Sequence, residues 1–220
     1  RWQRNVSCGF GLLAAGAAVA GGRAPVVYVG VGAGCQHVSL FAAVAAAPNN
    51  AQIRIVGNEV TLGAPLVLSG RQLRIDGGYA SCGAALPTST SVVRSIAGGG
   101  PVLAIDDGGT SFHIELFNLR ITGGNHVASG GGIQTVGTGT LILSNSDAYD
   151  NQAQDGGGLS VIGDGTLLTT VELRGGSVIG GAPGAGNVAT RHGGGFYCSQ
   201  ARVRLGDAHF LSNVAAGDGG

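Results

Sequence analysis

The chain has 220 residues, 44 of them glycine, and no net charge: 12 arginines balance 12 acidic side chains, and lysine is absent. No arginine cluster interleaves with aromatics, which argues against nucleic acid as a partner. Hydrophobic residues at 44% against 11% charged exclude a disordered chain, which has little to bury, and the lack of a G-X-Y period excludes collagen.

In chain order, residues 1–20 read as a signal peptide. Arg1 and Arg4 make a basic start, Cys8–Ala20 is apolar, and Ala18-Val19-Ala20 has the form of a cleavage site. Thirteen apolar residues are too few to span a bilayer, so no transmembrane span is expected. Residues 21–50 read as an N-terminal cap. Val26–Val31 has strand character, and Ser39 is placed to N-cap a short helix, Leu40–Ala47, that Pro48 ends. The apolar face of that helix should cover the first turn of whatever repeat follows. Of the four cysteines, Cys8 lies in the leader, Cys35 and Cys82 are expected to pair in an oxidising compartment, and Cys198 would be left over. No two are spaced as zinc ligands.

From residue 51 the sequence repeats. Three glycine triplets, each followed by an apolar residue, begin at Gly130, Gly156 and Gly193, and Gly219-Gly220 starts a fourth. Their spacings are 26, 37 and 26, a solenoid period. Most of the extra loop in the long interval is assigned to Gly180–His192. A finer register lies beneath. Six apolar-x-apolar pairs begin at Ile53, Leu73, Ile114, Leu141, Val171 and Val203, and these six are expected to stack in one interior ladder. Four residues on stand Gly57, Gly77, Asn118, Asn145, Gly175 and Asp207, all tolerant of left-handed backbone, so a corner is expected there. Val60, Ala80, Ile121, Ala148, Val178 and Phe210 follow at seven, and Gly63, Gly83, Gly124, Asn151, Gly181 and Asn213 at ten. Short strands in such register imply an all-β, right-handed parallel β-helix (solenoid) with a short N-terminal capping helix. Its coils occupy 51–220 and are expected to continue beyond residue 220.

Ser39–Gly57 (SLFAAVAAAPNNAQIRIVG) and Leu73–Tyr79 (LRIDGGY) resemble the start of proteins of the pectin-lyase-like β-helix superfamily. The glycine-triplet coils, with Phe210–Asn213 (FLSN) before the next glycines, resemble the repeats of bacterial polymorphic outer-membrane proteins and autotransporter passengers. In that frame Asn151 follows Ala148, while Gly181 stands where another Asn is due. The resemblance implies a secreted or cell-surface, outer-membrane-associated scaffold. Its partners would be a host or environmental glycan or a protein, bound without catalysis. The alternative it implies is a polysaccharide-active enzyme with a groove on its outer strands.

The outward middle residues of the six pairs form a row: Arg54, Arg74, Glu115, Ile142, Glu172 and Arg204. Its five charged members are the candidate glycan-binding row, gripping a charged glycan. No catalytic, cofactor-binding or metal-ligating residue is assigned. Asp106-Asp107, beside two glycines, reads as turn chemistry. Asp147, Asp150 and Asp155 read as solvated turns, and Arg191-His192 as loop residues.

Overall fold

The computed structural model describes residues 9–11, 24–166, 169–182 and 184–219. The expected signal peptide lies outside the described residues except for Gly9–Gly11, a short strand parallel to Arg202, Val203 and Arg204.

The protein is all-β apart from one short helix, and every strand pairing among the described residues is parallel. Its strands build four walls in three sheets, and the largest sheet curls into a half-barrel. Wall 1 comprises Val26–Val29, Ala51–Val56, Gln72–Tyr79, Phe112–Phe117, Gly139–Ser144 and the first halves of Thr170–Gly180 and Arg202–Leu211. Wall 2 comprises Glu59–Leu62, Ser91–Ser95, Leu119–Thr122, Asp147–Ala148 and the second halves of those two long strands. Wall 3 is Asn125–Ser129, Gln152–Asp155, Val188–His192 and Val214–Ala215; wall 4 is Leu66–Ser69, Leu103–Asp106, Ile133–Val136, Leu159–Ile162 and Phe196–Ser199. The chain visits these walls in the same order in every round, skipping wall 3 in the rounds before residue 125.

Five of the six expected ladder residues stack. Leu73 pairs with Ile114, Ile114 with Leu141, Leu141 with Val171, and Val171 with Val203, and all five are buried. The sixth is a correction. Ile53 faces Ile75, and Leu73 faces Ala51, so the first full round is offset by two residues. An offset of two keeps the same side inward, and Ile53 is fully buried. The ladder of wall 2 is Val60, Val93, Ile121, Ala148, Ile179 and Phe210. Val93 and Ile179 take the places expected for Ala80 and Val178. Ala80 lies instead in the loop between Tyr79 and Ser91, and a bulge between Arg174 and Ser177 adds the residue that displaces Val178.

Between walls 1 and 2 the backbone turns at Asn118, Asn145 and Asp207, with φ of 52°, 48° and 57°. A side chain with a Cβ pays about 1–2 kcal/mol in that conformation, which Asn and Asp relieve by local hydrogen bonds. Asn145 Nδ2 donates to Asn118 Oδ1 at 2.6 Å, so the corner residues are also tied to each other. In the offset early round the left-handed residue is Gly78, not Gly77.

Between walls 2 and 3 stands a ladder of asparagines. Asn151 Nδ2 donates to Asn187 Oδ1, and Asn187 Nδ2 to Asn213 Oδ1, each at 3.0 Å. Each amide also donates to a backbone carbonyl of the preceding round: Asn151 to Ile121, Asn187 to Ala148 and Asn213 to Ile179. Each Oδ1 also accepts a backbone N–H from the round before, from Gly124, Asn151 and Asn187 in turn. Asn187, not Gly181, is therefore the missing member. The eleven extra residues of the long round do not form one loop. They are spread over the 163–169 and 181–187 connections and two single-residue bulges. The glycine triplets stack between walls 3 and 4, because a Cβ on Gly158 would lie 2.6 Å from Asn187 Nδ2 and one on Gly157 2.6 Å from Gly194 O. The run at residue 219 joins them: Gly194 N donates to Gly219 O at 2.9 Å.

The helix spans Leu40–Ala46 and buries Leu40, Ala43 and Val44 against the first strands. Ser39 makes no side-chain cap hydrogen bond. Arg71 reaches back from the next round to the helix's C-terminal end, donating to the Val44 and Ala47 carbonyls, which a helix end otherwise leaves unpaired. Cys35 and Cys82 form the expected disulfide, Cα–Cα 5.2 Å, joining the cap to the loop after wall 1. Cys198 is not left over, since no cysteine among the described residues is free. No helix of the described residues is long and apolar enough to cross a membrane.

Candidate functional site

The outer face of wall 1 gathers most of the expected row. Its members in register are Gln52, Arg74, Glu115, Ile142, Glu172 and Arg204. Arg54 is the exception. The two-residue offset moves it into a second, parallel row: Tyr28, Arg54, Asp76, Phe117, Ser144 and Arg174. Strand alternation sends residues i and i+2 to the same face, so each round contributes two outward side chains here. The second row was open to the same pattern reasoning, two residues beyond the first.

The two rows interlock. Arg74 forks onto Asp76, Nε to Oδ2 at 2.9 Å and a terminal nitrogen to Oδ1 at 3.2 Å, while its guanidinium lies 3.7 Å from the Phe117 ring centre. The Asp76 carboxylate also accepts from Gln52 Nε2 and is only 1% exposed, so its charge is compensated where it is desolvated. Arg54 sits over the Tyr28 and Tyr79 rings and donates to the Tyr28 hydroxyl, Gln52 Oε1 and the Ala84 carbonyl. Further along, Glu172 takes Arg204 at 2.8 Å and Arg174 at 3.7 Å. Ile142, between the two charged groups, is 6% exposed, covered by its long neighbours rather than leaving a gap.

Glu115 has a partner the row did not include. His113 Nε2 lies 3.1 Å from Glu115 Oε1, and Arg74 lies 3.9 Å from the other oxygen. The His113 hydrogen bond holds the Glu115 carboxyl below its ordinary range. Burial opposes this, and the charges of His113, Arg74 and Arg174 reinforce it. Asn50, Gln72, Leu73, Arg74, His113 and Glu115, with Ala24, line a cleft of about 430 Å³. Every acid of the two rows thus has a cationic neighbour, and of the four arginines in the rows Arg54 alone has no carboxylate. The two rows are a network of paired charges.

The remaining acids serve turns and ion pairs. Asp106 and Asp107 accept the N–H groups of Gly108 and Gly109, the turn chemistry expected. Asp147 pairs with Arg120 and accepts from Val178 N. Asp155 is buried, not on a solvated turn. Burial pushes its carboxyl up, but the Arg191 guanidinium and the His192 N–H more than offset this and hold it low. Arg191 and His192 accordingly belong to the wall 3 strand Val188–His192. No group of three or more His, Cys, Asp or Glu among the described residues could hold a metal ion. No family model, no curated protein and no solved structure matches this chain.

Proposed function

We propose that this chain is a right-handed parallel β-helix of the pectin-lyase-like kind, secreted or displayed at the cell surface, that binds a glycan on the outer face of wall 1 without transforming it. The observation that carries the reading is the double row of Arg74, Asp76, Glu115, Glu172, Arg174 and Arg204. It is a polar strip on a hydrogen-bonded sheet, interrupted at one round by Phe117 and at the next by Ile142, that runs along the stack in the way an extended chain of sugars would. Parallel strands joined by crossovers wind right-handed in about 98% of cases, which supports the handedness. The Cys35–Cys82 disulfide supports an oxidising compartment outside the cytoplasm.

The second reading, a polysaccharide-active enzyme, draws on the His113–Glu115 contact beside Arg74. Glycoside hydrolysis needs a protonated acid as well as an ionised carboxylate; Glu115, held low, fits the ionised role, and the cleft lining holds no second carboxyl to serve as the acid. Co-sedimentation with insoluble polysaccharides, together with a reducing-end assay on the same mixtures, separates the two. Retention without new reducing ends, weakened by Arg204→Ala, is expected. Release of sugars that stops in Glu115→Gln would replace the binding reading with the enzyme.

A further inference from the structure

We infer that the cleft formed by Asn50, Gln72, Arg74, His113 and Glu115 is a subsite for an uncharged, hydroxyl-rich sugar unit rather than a uronate. This rests on the glycan-binding reading above and narrows it to a place and a ligand class.

The cleft has the size for a small ligand, about 430 Å³. Its floor is set by backbone pairing, with Gln72 beside His113 and Arg74 beside Glu115 on adjacent strands. The spacing of these side chains is therefore the fixed strand spacing of roughly 4.8 Å. The side-chain amides of Asn50 and Gln72 make no hydrogen bond among the described residues, so each presents a donor and an acceptor side by side. Such a pair matches two neighbouring hydroxyl groups. His113 commits Nε2 to Glu115 and has no partner for Nδ1 among the described residues, and Glu115 is an acceptor.

Charge decides the ligand class. The one guanidinium in the cleft, Arg74, is already forked onto Asp76 and faces Glu115 as well. A uronate carboxylate entering here would meet Glu115, the one carboxylate of the lining, with Arg74 already committed to Asp76 behind it, and like charges at this range disfavour binding. Hydroxyl groups face no such penalty and find acceptors and donors on both sides of the cleft.

The test is a side-chain NMR titration of the whole chain with cellohexaose, xylohexaose, mannohexaose and hexagalacturonate, with Gln134→Ala on wall 4 as the control variant. At least one neutral hexasaccharide should shift the Gln72 amide and the His113 ring. Gln72→Ala and His113→Ala should each weaken it about tenfold, with Gln134→Ala unchanged, and hexagalacturonate should bind at least tenfold more weakly than the neutral sugar. Hexagalacturonate binding as tightly as any neutral sugar, or shifts that avoid Gln72 and His113, would overturn the subsite and leave glycan binding standing. If none of the four sugars binds, both readings fall.

Discussion

The rounds before Gly124 and the rounds after it close the same parallel stack by different means. The later rounds repeat one device, with Asn151, Asn187 and Asn213 each satisfying two backbone groups of the preceding round and bonding to one another, while the glycine triplets let wall 3 and wall 4 meet closely. The earlier rounds have no such ladder and no wall 3. They pass from wall 2 to wall 4 through Gly63–Pro65 and residues 96–102, and they rely on individual ties: the Cys35–Cys82 bond, Arg71 on the helix end, and Arg54 between two tyrosines. A periodic sequence can hold itself by repetition. Where the period breaks, single long-range contacts take over, and the cleft around Arg74, His113 and Glu115 lies in that irregular part.

The contrast can be broken from either side. Replacing Cys35 and Cys82 together by Ser should have the largest effect. Closing a loop with a 47-residue separation is worth about 4 kcal/mol in the chain-entropy model, read as a lowered urea midpoint. Proteolysis should then begin in the N-terminal rounds, and cleavage first in residues 125–219 would contradict the division of labour.

Asn187→Ala should cost about 3 kcal/mol, because it strips partners from buried groups of Asn151 and from the Ala148 carbonyl. An unchanged midpoint would mean the ladder is ornamental. Asn145→Val should cost about 1–2 kcal/mol through its left-handed backbone, and Asn145→Gly much less. Equal losses for the two would point to the Asn118 contact instead of the backbone.

The smallest effect is a matter of pH. Asp155 has a lowered folded-state pKa, so its stabilisation is full above the ordinary carboxylate range and fades as pH falls through the lowered value. Arg191→Ala removes most of what holds it low and leaves burial opposed by the N–H and the ring charge of His192. The variant should be less stable than the parent at neutral pH, and the gap should narrow on acidification. A gap that stays constant from neutral to acid pH would remove Asp155 from the account.

Much of the stack was legible in the sequence because a parallel ladder repeats its chemistry. Leu73, Ile114, Leu141, Val171 and Val203 declared themselves by alternation, and the corner asparagines by their tolerance of positive φ. What sequence spacing could not supply was the exact count across insertions. Ile53, Ala80, Val178 and Gly181 were each misassigned where a bulge or loop changed the number of residues between strands, since a fixed offset carries no information about local slack. The site was half legible for a related reason. The row through Arg74 and Arg204 follows from alternation, but that Arg74 serves Asp76, and that Glu115 meets His113, depends on which rounds are neighbours and on side-chain reach.

The exclusively parallel pairing of each round with its neighbours has a mechanical consequence. Apart from Gly9–Gly11 along Arg202–Arg204, no strand among the described residues pairs rounds that are not neighbours, so a chain pulled from its C-terminal end under reducing conditions should peel away one round at a time once the last round, which holds that strand, is released. A round of 26 residues would release a contour of about 90 Å at roughly 3.5 Å per residue, and the long round proportionately more. A pulling trace would then carry the repeat spacing of the sequence as a series of steps, with the order of the steps giving the order of the rounds.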